Sequence, residues 1–223
     1  QGMKGFVNAV LRKAGDAGFD KWHSLPLARL PKWLRDPLSQ AYGEKHMVAI
    51  EHAHGRGAPL DLTAKTKPEA VAKAVGGVVL PTGSVRLPDA GQVSALPGFD
   101  AGDWWVQDAA AALPIRILAP QKGEHVLDMC AAPGGKTMQI AASGANAVSL
   151  DISEKRMERV RENLHRVGLK AEVVGADVLE YYGGPFDAIV LDAPCSATGT
   201  LRRHPDLPYA KDGSAIAGLI ELQ

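Results

Sequence analysis

Short apolar runs alternate with helical segments along the second half of the chain, from about residue 105. The runs read GEHVLDMC, AVSLDI, AEVVGAD and FDAIVLDAP, and three of them close on Asp. Such alternation is typical of a parallel sheet whose two faces are covered by helices. We therefore predict an α/β domain with a parallel sheet over residues 105–223.

The clearest helix lies between the second and third runs, in SEKRMERVRENLHRVG. Its apolar residues recur at spacings of three and four, which places them on one face of a helix. Ser153 is expected to cap the start of this helix, and Gly168 to take the left-handed conformation that ends it. The apolar face consists of Met157, Val160, Leu164 and Val167.

The first half of the chain divides by pattern into two segments. Residues 1–56 carry short helical patterns interrupted by prolines, which predicts a small helical bundle. Residues 57–104 contain APLDLTAK and VVLPTGSVRLP on either side of TKPEAVAKAVGG, so a small α/β module is predicted there. The opening QGMKGFVNAVLRK begins inside an apolar helical pattern without Met, so we expect the chain to be part of a longer one.

Composition and short motifs argue against a membrane protein, a disulfide-rich secreted protein and a metal-binding protein. No apolar stretch reaches the roughly 18 residues of a membrane helix, and the start lacks the pattern of a signal peptide. A cytoplasmic protein without a membrane partner is therefore expected. Two cysteines, Cys130 and Cys195, are too few for a secreted disulfide framework. The sequence contains no CxxC, HxxxH or HExxH pattern, so no metal site is predicted.

Charge is distributed unevenly along the chain. The formal net charge is +0, which argues against a protein that coats nucleic acid through charge alone. Residues 1–56 nevertheless hold nine Lys and Arg against five Asp and Glu. This segment is either a contact surface for nucleic acid or an ordinary helical surface.

Glycines and acids follow the apolar runs at the positions where a parallel sheet binds ligands. CAAPGGKT comes after the first run, Asp151 closes the second and Asp177 closes the third. A carboxylate at the end of the second strand can accept hydrogen bonds from two ribose hydroxyls, and Asp177 can accept one from an exocyclic amine such as that of adenine. Taken singly, the glycines could form only a tight turn, and each Asp could serve only as a helix cap. Because these features occupy successive strand ends, we predict a cofactor that carries adenosine.

Four segments resemble a known family: DMCAAPGGKT, LDIS, GADV and LDAPCSATGTLRRHPD. They are similar to the S-adenosylmethionine-dependent RNA 5-methylcytosine methyltransferases of the RsmB/Sun/Fmu group. GFVNAVLR resembles the end of that group's NusB-like helical domain, and LPGFDAGDWWVQDAAA the start of its catalytic domain. The resemblance implies a Rossmann-like methyltransferase domain that acts on carbon 5 of a cytosine in RNA, with small-subunit ribosomal RNA as the expected partner. A monomer is expected.

The resemblance also implies roles for individual residues. Asp151 would hold the ribose, Asp177 would lie on the adenine side, and Asp192 would lie between the cofactor and the target base. A cysteine of the enzyme adds to carbon 6 of cytosine, which makes carbon 5 able to take a methyl group. The segment that would wrap the methionine end of the cofactor comprises Cys130, Ala131, Ala132, Pro133, Gly134, Gly135 and Lys136.

The cysteine of a Pro-Cys pair has different roles in DNA and RNA cytosine methyltransferases, so two roles are open for Cys195. In DNA cytosine methyltransferases the cysteine of a Pro-Cys pair is the nucleophile. In the resembling RNA family the attacking thiol comes from a later Thr-Cys motif, and the Pro-Cys thiol is implicated in release of the methylated product. The resemblance therefore implies that Cys195 assists, and that a chain ending at Gln223 shows little or no turnover. An inert buried thiol is the alternative.

A basic cluster follows the Pro-Cys segment. Arg202, Arg203 and His204 are predicted to contact RNA phosphates, with a solvated loop as the alternative. Trp104 and Trp105 are predicted to pack a domain junction rather than to stack on a base. Two other functions stay open: a non-catalytic RNA-binding or assembly factor that keeps the cofactor fold, and a methyltransferase for another substrate, such as an adenine amino group or a small molecule.

Overall fold

This computed structural model describes residues 2–88 and 91–223, which form helices and short strands. In chain order the helices are α1 Gly2–His23, α2 Lys32–Tyr42, α3 Glu44–Gly55, α4 Pro68–Val75, α5 Ala109–Leu118, α6 Gly135–Ala142, α7 Glu154–Val167, α8 Leu207–Ala210 and α9 Ile216–Leu222. The strands are β1 Leu60–Ala64, β2 Val78–Val79, β3 Val85–Leu87, β4 Trp104–Val106, β5 His125–Met129, β6 Asn146–Asp151, β7 Glu172–Gly175 and β8 Ala188–Leu191. Within the described ranges, no helix is both long enough and apolar enough to cross a membrane.

The chain folds into two compact units. The helical unit combines residues 1–58 with residues 197–215, and the sheet unit combines residues 59–196 with residues 216–223. The sequence did not predict that residues 197–215 would join the first helices. The boundaries after residues 56 and 104 stay a prediction of the domain division.

An apolar core holds the two segments of the helical unit together. Leu34 of α2, Met47 of α3 and Leu201 are buried in it. A hydrogen bond of 2.9 Å from Nε1 of Trp33 to the carbonyl oxygen of Pro208 adds a polar link between the same segments. Residues 197–215 are thus fixed to the helices by both apolar contacts and hydrogen bonds.

The strands β1 to β4 form an antiparallel sheet in the order β2-β3-β1-β4. Leu62 of β1 pairs with Val85 of β3 on one side and with Val106 of β4 on the other. Helix α4 packs on this sheet, and Val71 of α4 lies in the same apolar core as Leu62, Val85 and Trp104. The strands and the helix that the sequence predicts for this segment are all present.

The strands β5 to β8 form a parallel sheet in the order β7-β6-β5-β8. In its register, Leu127 of β5 pairs with Val148 of β6 and with Ile189 of β8. These are the four apolar runs of the sequence, so the predicted α/β class is confirmed. In this order β5 and β6 are the inner strands. The chain moves outward from β5 through β6 to β7 and then crosses back to β8, on the other side of β5.

The three connections between these parallel strands differ in structure. Helices α6 and α7 connect the first three strands, as predicted. The connection between β7 and β8 contains only a 3₁₀ turn, Val178–Glu180, and no α-helix in residues 176–187. The prediction of a helix there was wrong. Instead, Val178, Tyr181 and Phe186 pack on the sheet as part of an apolar cluster, so the segment covers the sheet without helical structure.

Helix α7 has the predicted face and ends. All four residues of its predicted apolar face are buried. The hydroxyl of Ser153 accepts a hydrogen bond from the backbone N–H of Arg156 at 3.4 Å, and Gly168 has a φ of 64° at the other end. The helix therefore begins and ends where the sequence predicts.

Strand β4 joins two apolar cores of the sheet unit. Because successive side chains of a strand point to opposite faces, Trp104 and Trp105 enter different cores. Trp104 packs with the residues of the antiparallel sheet, and Trp105 packs with Met157 and Val160 of α7. Both indoles are buried, as expected for residues at a junction and not for a platform that stacks a base.

Candidate functional site

A cleft of about 330 Å³ opens at the carboxyl ends of the parallel strands. Its walls come from the ends of all four strands, from Arg156 of α7 and from α9. Because β8 pairs on the opposite side of β5 from β6, the chain direction across the sheet reverses at this point. Open α/β sheets bind their ligands at such a reversal. The lining includes Met129, Cys130, Leu150, Asp151, Ile152, Ala176, Asp177, Leu191 and Pro194.

The segment Cys130–Lys136 connects β5 to α6 through an unusual backbone. Gly134 has a φ of 98°, which an L side chain rarely adopts. A Cβ atom at Gly134 would lie 3.1 Å from Cγ1 of Val160, and one at Gly135 would lie 3.3 Å from the side-chain amide of Gln107. The sequence interpretation assigned these glycines to close approach of a ligand. The structure shows that they also allow close approach of α7 and Gln107.

Asp151, at the end of β6, is a buried carboxylate in the wall of the cleft. Its Oδ2 accepts a hydrogen bond from the backbone N–H of Ala132 at 3.3 Å, and its Oδ1 accepts one from that of Ser153 at 3.0 Å. Nη1 of Arg156 lies 3.3 Å from Oδ2. The same carboxylate therefore faces the cleft and holds the segment after β5 against the end of β6.

Asp177 lies beyond the end of β7 and lines the same cleft. Its Oδ1 accepts a hydrogen bond of 3.0 Å from the backbone N–H of Leu179, so it also caps the 3₁₀ turn that follows. The cap that the sequence offered as an alternative is present. A carboxylate has about four lone-pair positions, so a cap on one oxygen leaves the other able to accept from a ligand.

Asp192 follows β8 and pairs with Lys136, which lies in the first turn of α6. Nζ of Lys136 is 2.5 Å from Oδ2 of Asp192. The Lys136 side chain is 13% exposed and that of Asp192 is 64% exposed, so the pair lies at the mouth of the site. The exposed carboxylate is screened by water, so the pair orients the two groups more than it stabilises the fold.

The two cysteines occupy different environments. Cys195 is exposed beyond β8, and Cys130 is half-buried in the wall of the cleft. Neither forms a disulfide. Burial raises the pKa of the Cys130 thiol above its ordinary value, and the negative charge of Asp151 adds to this effect. Cys130 is therefore mostly protonated at neutral pH and is a poor nucleophile.

Asp128 of β5 lies behind the mouth of the site and is 1% exposed. Its Oδ2 accepts a hydrogen bond of 2.6 Å from the hydroxyl of Thr137, whereas its Oδ1 is buried and has no hydrogen-bond partner among the described residues. Burial raises its pKa to about 6, and the Thr137 hydrogen bond opposes this only in part. The carboxyl group therefore changes its protonation near neutral pH.

The raised pKa of Asp128 predicts a loss of stability as the pH rises. Between its ordinary value of 3.8 and about 6, the folded protein holds a proton that the unfolded chain has released. This group should lower the free energy of unfolding by roughly 2 kcal/mol between about pH 4.5 and 7. Urea unfolding across this range should show that loss in the unmutated protein and a clearly flatter profile in Asp128→Asn. Parallel profiles for the two proteins would contradict the assignment.

The predicted RNA contacts lie in the helical unit. Arg202 and His204 are exposed, and Arg203 is half-buried. Nε of Arg202 donates a hydrogen bond of 3.2 Å to the carbonyl oxygen of Ala53, which fixes the turn to the end of α3. Among residues 2–88 and 91–223, the structure contains no cluster of three or more His, Cys, Asp or Glu that could hold a metal ion.

Comparison with known proteins shows which family these elements resemble. A family model described as 16S rRNA methyltransferase RsmB/F matches residues 115–223, which include the parallel sheet and every residue of the cleft. Over these residues the chain is similar to the RsmB/F family. Two curated relatives, from Vibrio cholerae and Klebsiella pneumoniae, are each 39% identical over 99% of the chain and are named ribosomal RNA small subunit methyltransferase B. The chain spans 56% of the length of each.

Solved structures share this fold. The crystal structure of PH0851 has a TM-score of 0.80 and 22% identity, and the match covers 86% of this chain and 48% of that one. A methyltransferase homologue from Pyrococcus horikoshii has a TM-score of 0.61 and 27% identity, covering 76% of this chain and 60% of that one. The predicted Rossmann-like methyltransferase fold is thereby confirmed.

Sequence reasoning missed Asp128, which is hydrogen-bonded to α6, and two residues of α7 that contact the segment after β5. Asp128 lies within the quoted DMCAAPGGKT but received no role, because its burial depends on how α6 packs. Arg156 and Asn163 belong to α7, and only their spacing of seven residues indicates that they share a helix face. They donate hydrogen bonds to the carbonyl oxygens of Ala132 and Pro133, respectively.

Proposed function

We propose that the protein uses S-adenosylmethionine to methylate carbon 5 of a cytosine in RNA, with small-subunit ribosomal RNA as the substrate. The observation that carries this proposal is the shared edge of the parallel sheet. There, Cys130, Asp151 and Asp177 line one cleft, and the Lys136–Asp192 pair and the exposed Cys195 lie beyond β5 and β8. The RsmB/F family match over the same residues supports it.

The cleft suits a cofactor with both apolar and polar parts. Its volume of about 330 Å³ is within the range of small-molecule sites, which begins near 300 Å³. Each oxygen of Asp151 accepts one backbone N–H, and Nη1 of Arg156 lies 3.3 Å from Oδ2 and 3.4 Å from Oδ1. A carboxylate has about four lone-pair positions, so a ribose hydroxyl would use what these three donors leave. Asp177 would accept a hydrogen bond from the adenine amine, and Cys130–Lys136 would hold the methionine end. When bound, the cofactor supplies an electrophilic methyl group on its sulfonium.

The residues beyond β8 would act on the cytosine. In the proposed reaction a thiolate forms a bond to carbon 6, and carbon 5 then takes the methyl group. A base removes the proton of carbon 5 as the bond between sulfur and carbon 6 breaks. Asp192, held by Lys136, would hydrogen-bond the ring edge, and Cys195 would assist release. Since Cys130 has a raised pKa and Cys195 has the assisting role, the attacking thiol lies outside residues 1–223 in this proposal.

Charge favours the helical unit as the surface that attracts RNA. Its residues hold twelve Lys and Arg against seven Asp and Glu, whereas the sheet unit holds thirteen against eighteen. Phosphate contacts position a protein on nucleic acid without selecting a sequence. We propose that Arg202, Arg203 and His204 belong to this surface, and that the protein acts as a cytoplasmic monomer. A target cytosine in folded RNA would have to leave its stack to reach Asp192.

The test of the proposed chemistry is tritium release from RNA labelled at carbon 5 of cytosine. The complete protein, with S-adenosylmethionine and small-subunit ribosomal RNA, should release tritium in step with methyl transfer, because carbon 5 exchanges its hydrogen for methyl. Methyl transfer without tritium release would place the methyl group elsewhere on the RNA. Cofactor and RNA binding without methyl transfer would instead support a non-catalytic RNA-binding factor.

Replacing Cys195 tests its assisting role in the complete protein. Cys195→Ser should still form the covalent bond to RNA but should release product slowly. We therefore expect a complex of protein and RNA that survives denaturing electrophoresis in the variant and is scarce in the unmutated protein. Loss of both turnover and the complex would identify Cys195 as the attacking thiol instead.

A further inference from the structure

One face of α7 packs on the segment between β5 and α6. Arg156, Val160 and Asn163 are spaced by four and three residues, so they lie along the same side of the helix. Nη2 of Arg156 donates to the carbonyl oxygen of Ala132 at 2.9 Å, and Nδ2 of Asn163 donates to that of Pro133 at 3.0 Å. Two successive carbonyl groups of the segment are therefore bound by α7.

Val160 completes this contact between the two polar residues. A Cβ atom added at Gly134 would lie 3.1 Å from Cγ1 of Val160, and Val160 itself is buried. The segment thus fits against α7 at three successive residues, 132 to 134. The position of α7 in turn depends on its buried apolar face, which packs with Trp105 and Met138.

Arg156 also reaches the carboxylate that faces the cleft. Its Nη1 lies 3.3 Å from Oδ2 of Asp151, and that oxygen accepts the backbone N–H of Ala132. Arg156, Asp151 and Ala132 therefore form a closed ring in which each member contacts the other two. The planar guanidinium can contact a carbonyl oxygen and a carboxylate at once, whereas a lysine ammonium is a single point of charge.

We propose that Arg156 is a positioning residue that sets the orientation of the Asp151 carboxylate toward the ribose hydroxyls of the cofactor. This inference rests on the proposed function, because it assumes that Asp151 binds ribose. The Arg156 side chain is 56% exposed, so water screens its charge and the effect comes mainly from geometry. Its two contacts fix the rotation of the carboxylate and hold Ala132 in place at the same time.

The ratio of the affinities for a ribose ligand and its 2′-deoxyribose analogue, here called the discrimination, distinguishes this positioning role from a general role in stability. S-adenosylhomocysteine and its 2′-deoxyribose analogue are the probes, with both affinities measured by isothermal titration. The unmutated protein should bind the ribose form at least about tenfold more tightly, the factor that corresponds to one hydrogen bond to a charged group. Arg156→Gln should weaken the ribose form about tenfold and reduce the discrimination to less than about threefold.

Two further variants control the experiment. Arg159→Gln changes an exposed arginine of the same helix, so it should alter neither the affinity nor the discrimination. Arg156→Lys keeps the charge but can satisfy only one partner at a time, so it should give an intermediate discrimination. It also provides a second measurement if Arg156→Gln does not fold, which thermal melting will show.

The outcomes distinguish this inference from the proposed function. If the unmutated protein binds neither probe, the cofactor proposal fails and the role of Arg156 fails with it. If the unmutated protein discriminates and the Arg156 variants lose equal affinity for both probes, Arg156 only supports the segment and the positioning role is wrong. Reduced discrimination in Arg156→Gln, with Arg159→Gln unchanged, supports the role.

Discussion

Replacement of Asp151 by alanine is expected to weaken S-adenosylmethionine binding by at least about a hundredfold. Hydrogen bonds to a charged group contribute about 1.5–3 kcal/mol each, so the loss of two to the ribose is about 3 kcal/mol or more. The substitution also removes the acceptor for the backbone N–H groups of Ala132 and Ser153. Isothermal titration of the unmutated and variant proteins measures the effect directly.

Two variants separate the contributions of Asp151. Asp151→Asn keeps one oxygen that can accept a backbone N–H but lacks the charge, so its affinity should lie between those of the unmutated protein and Asp151→Ala. Glu158→Ala removes an exposed acid of α7 and should leave affinity within about twofold, since surface changes rarely exceed about 0.5 kcal/mol. If Asp151→Ala bound S-adenosylmethionine with an affinity within tenfold of that of the unmutated protein, Asp151 would be excluded as the ribose partner.

Periodic segments of the sequence predicted their structures well. Helix α7 follows from its apolar spacing, and its ends follow from Ser153 and Gly168, because each of these features is local. The four apolar runs predicted the four parallel strands, because a strand that is covered on both faces is apolar along its length. Local pattern and three-dimensional packing agree in these elements, so the prediction succeeds.

Long-range contacts account for the elements that sequence reasoning missed. The segment between β7 and β8 carries Val178, Tyr181 and Phe186 without a helical spacing, and the sheet itself determines how they pack. Leu201 belongs to the core of the helical unit, more than a hundred residues from its partners along the chain. No pattern within either segment shows these partners.

The sequence predicted those residues of the candidate site that lie at the ends of parallel strands. Asp151 and Asp177 were found because the end of a parallel strand is a ligand position whatever the rest of the fold. Asp128 was not, since its raised pKa comes from burial beneath α6, which hydrogen bonding from Thr137 opposes only in part. Arg156 was missed because a charged residue on an amphipathic helix normally faces solvent.

Trp104→Ala is expected to lower the free energy of unfolding of the sheet unit by about 3–5 kcal/mol, the usual cost of removing a buried indole. Trp104 is 0% exposed and is among the largest side chains buried in the core of the antiparallel sheet. Its Nε1 also donates a hydrogen bond of 2.8 Å to the carbonyl oxygen of Pro97, and its ring lies 5.6 Å from that of Phe99. Urea unfolding followed by far-ultraviolet circular dichroism measures the loss.

Further variants in β4 test whether the loss of stability comes from the buried side chain of Trp104 or from any substitution in this strand. Val106→Ala changes a half-exposed side chain of the same strand and should cost less than about 1 kcal/mol. Trp104→Phe keeps most of the apolar volume but loses the N–H donor, so its cost should fall between the two. If Trp104→Ala and Val106→Ala were equally destabilising, burial of the Trp104 indole would not be a main contribution to the stability of the antiparallel sheet.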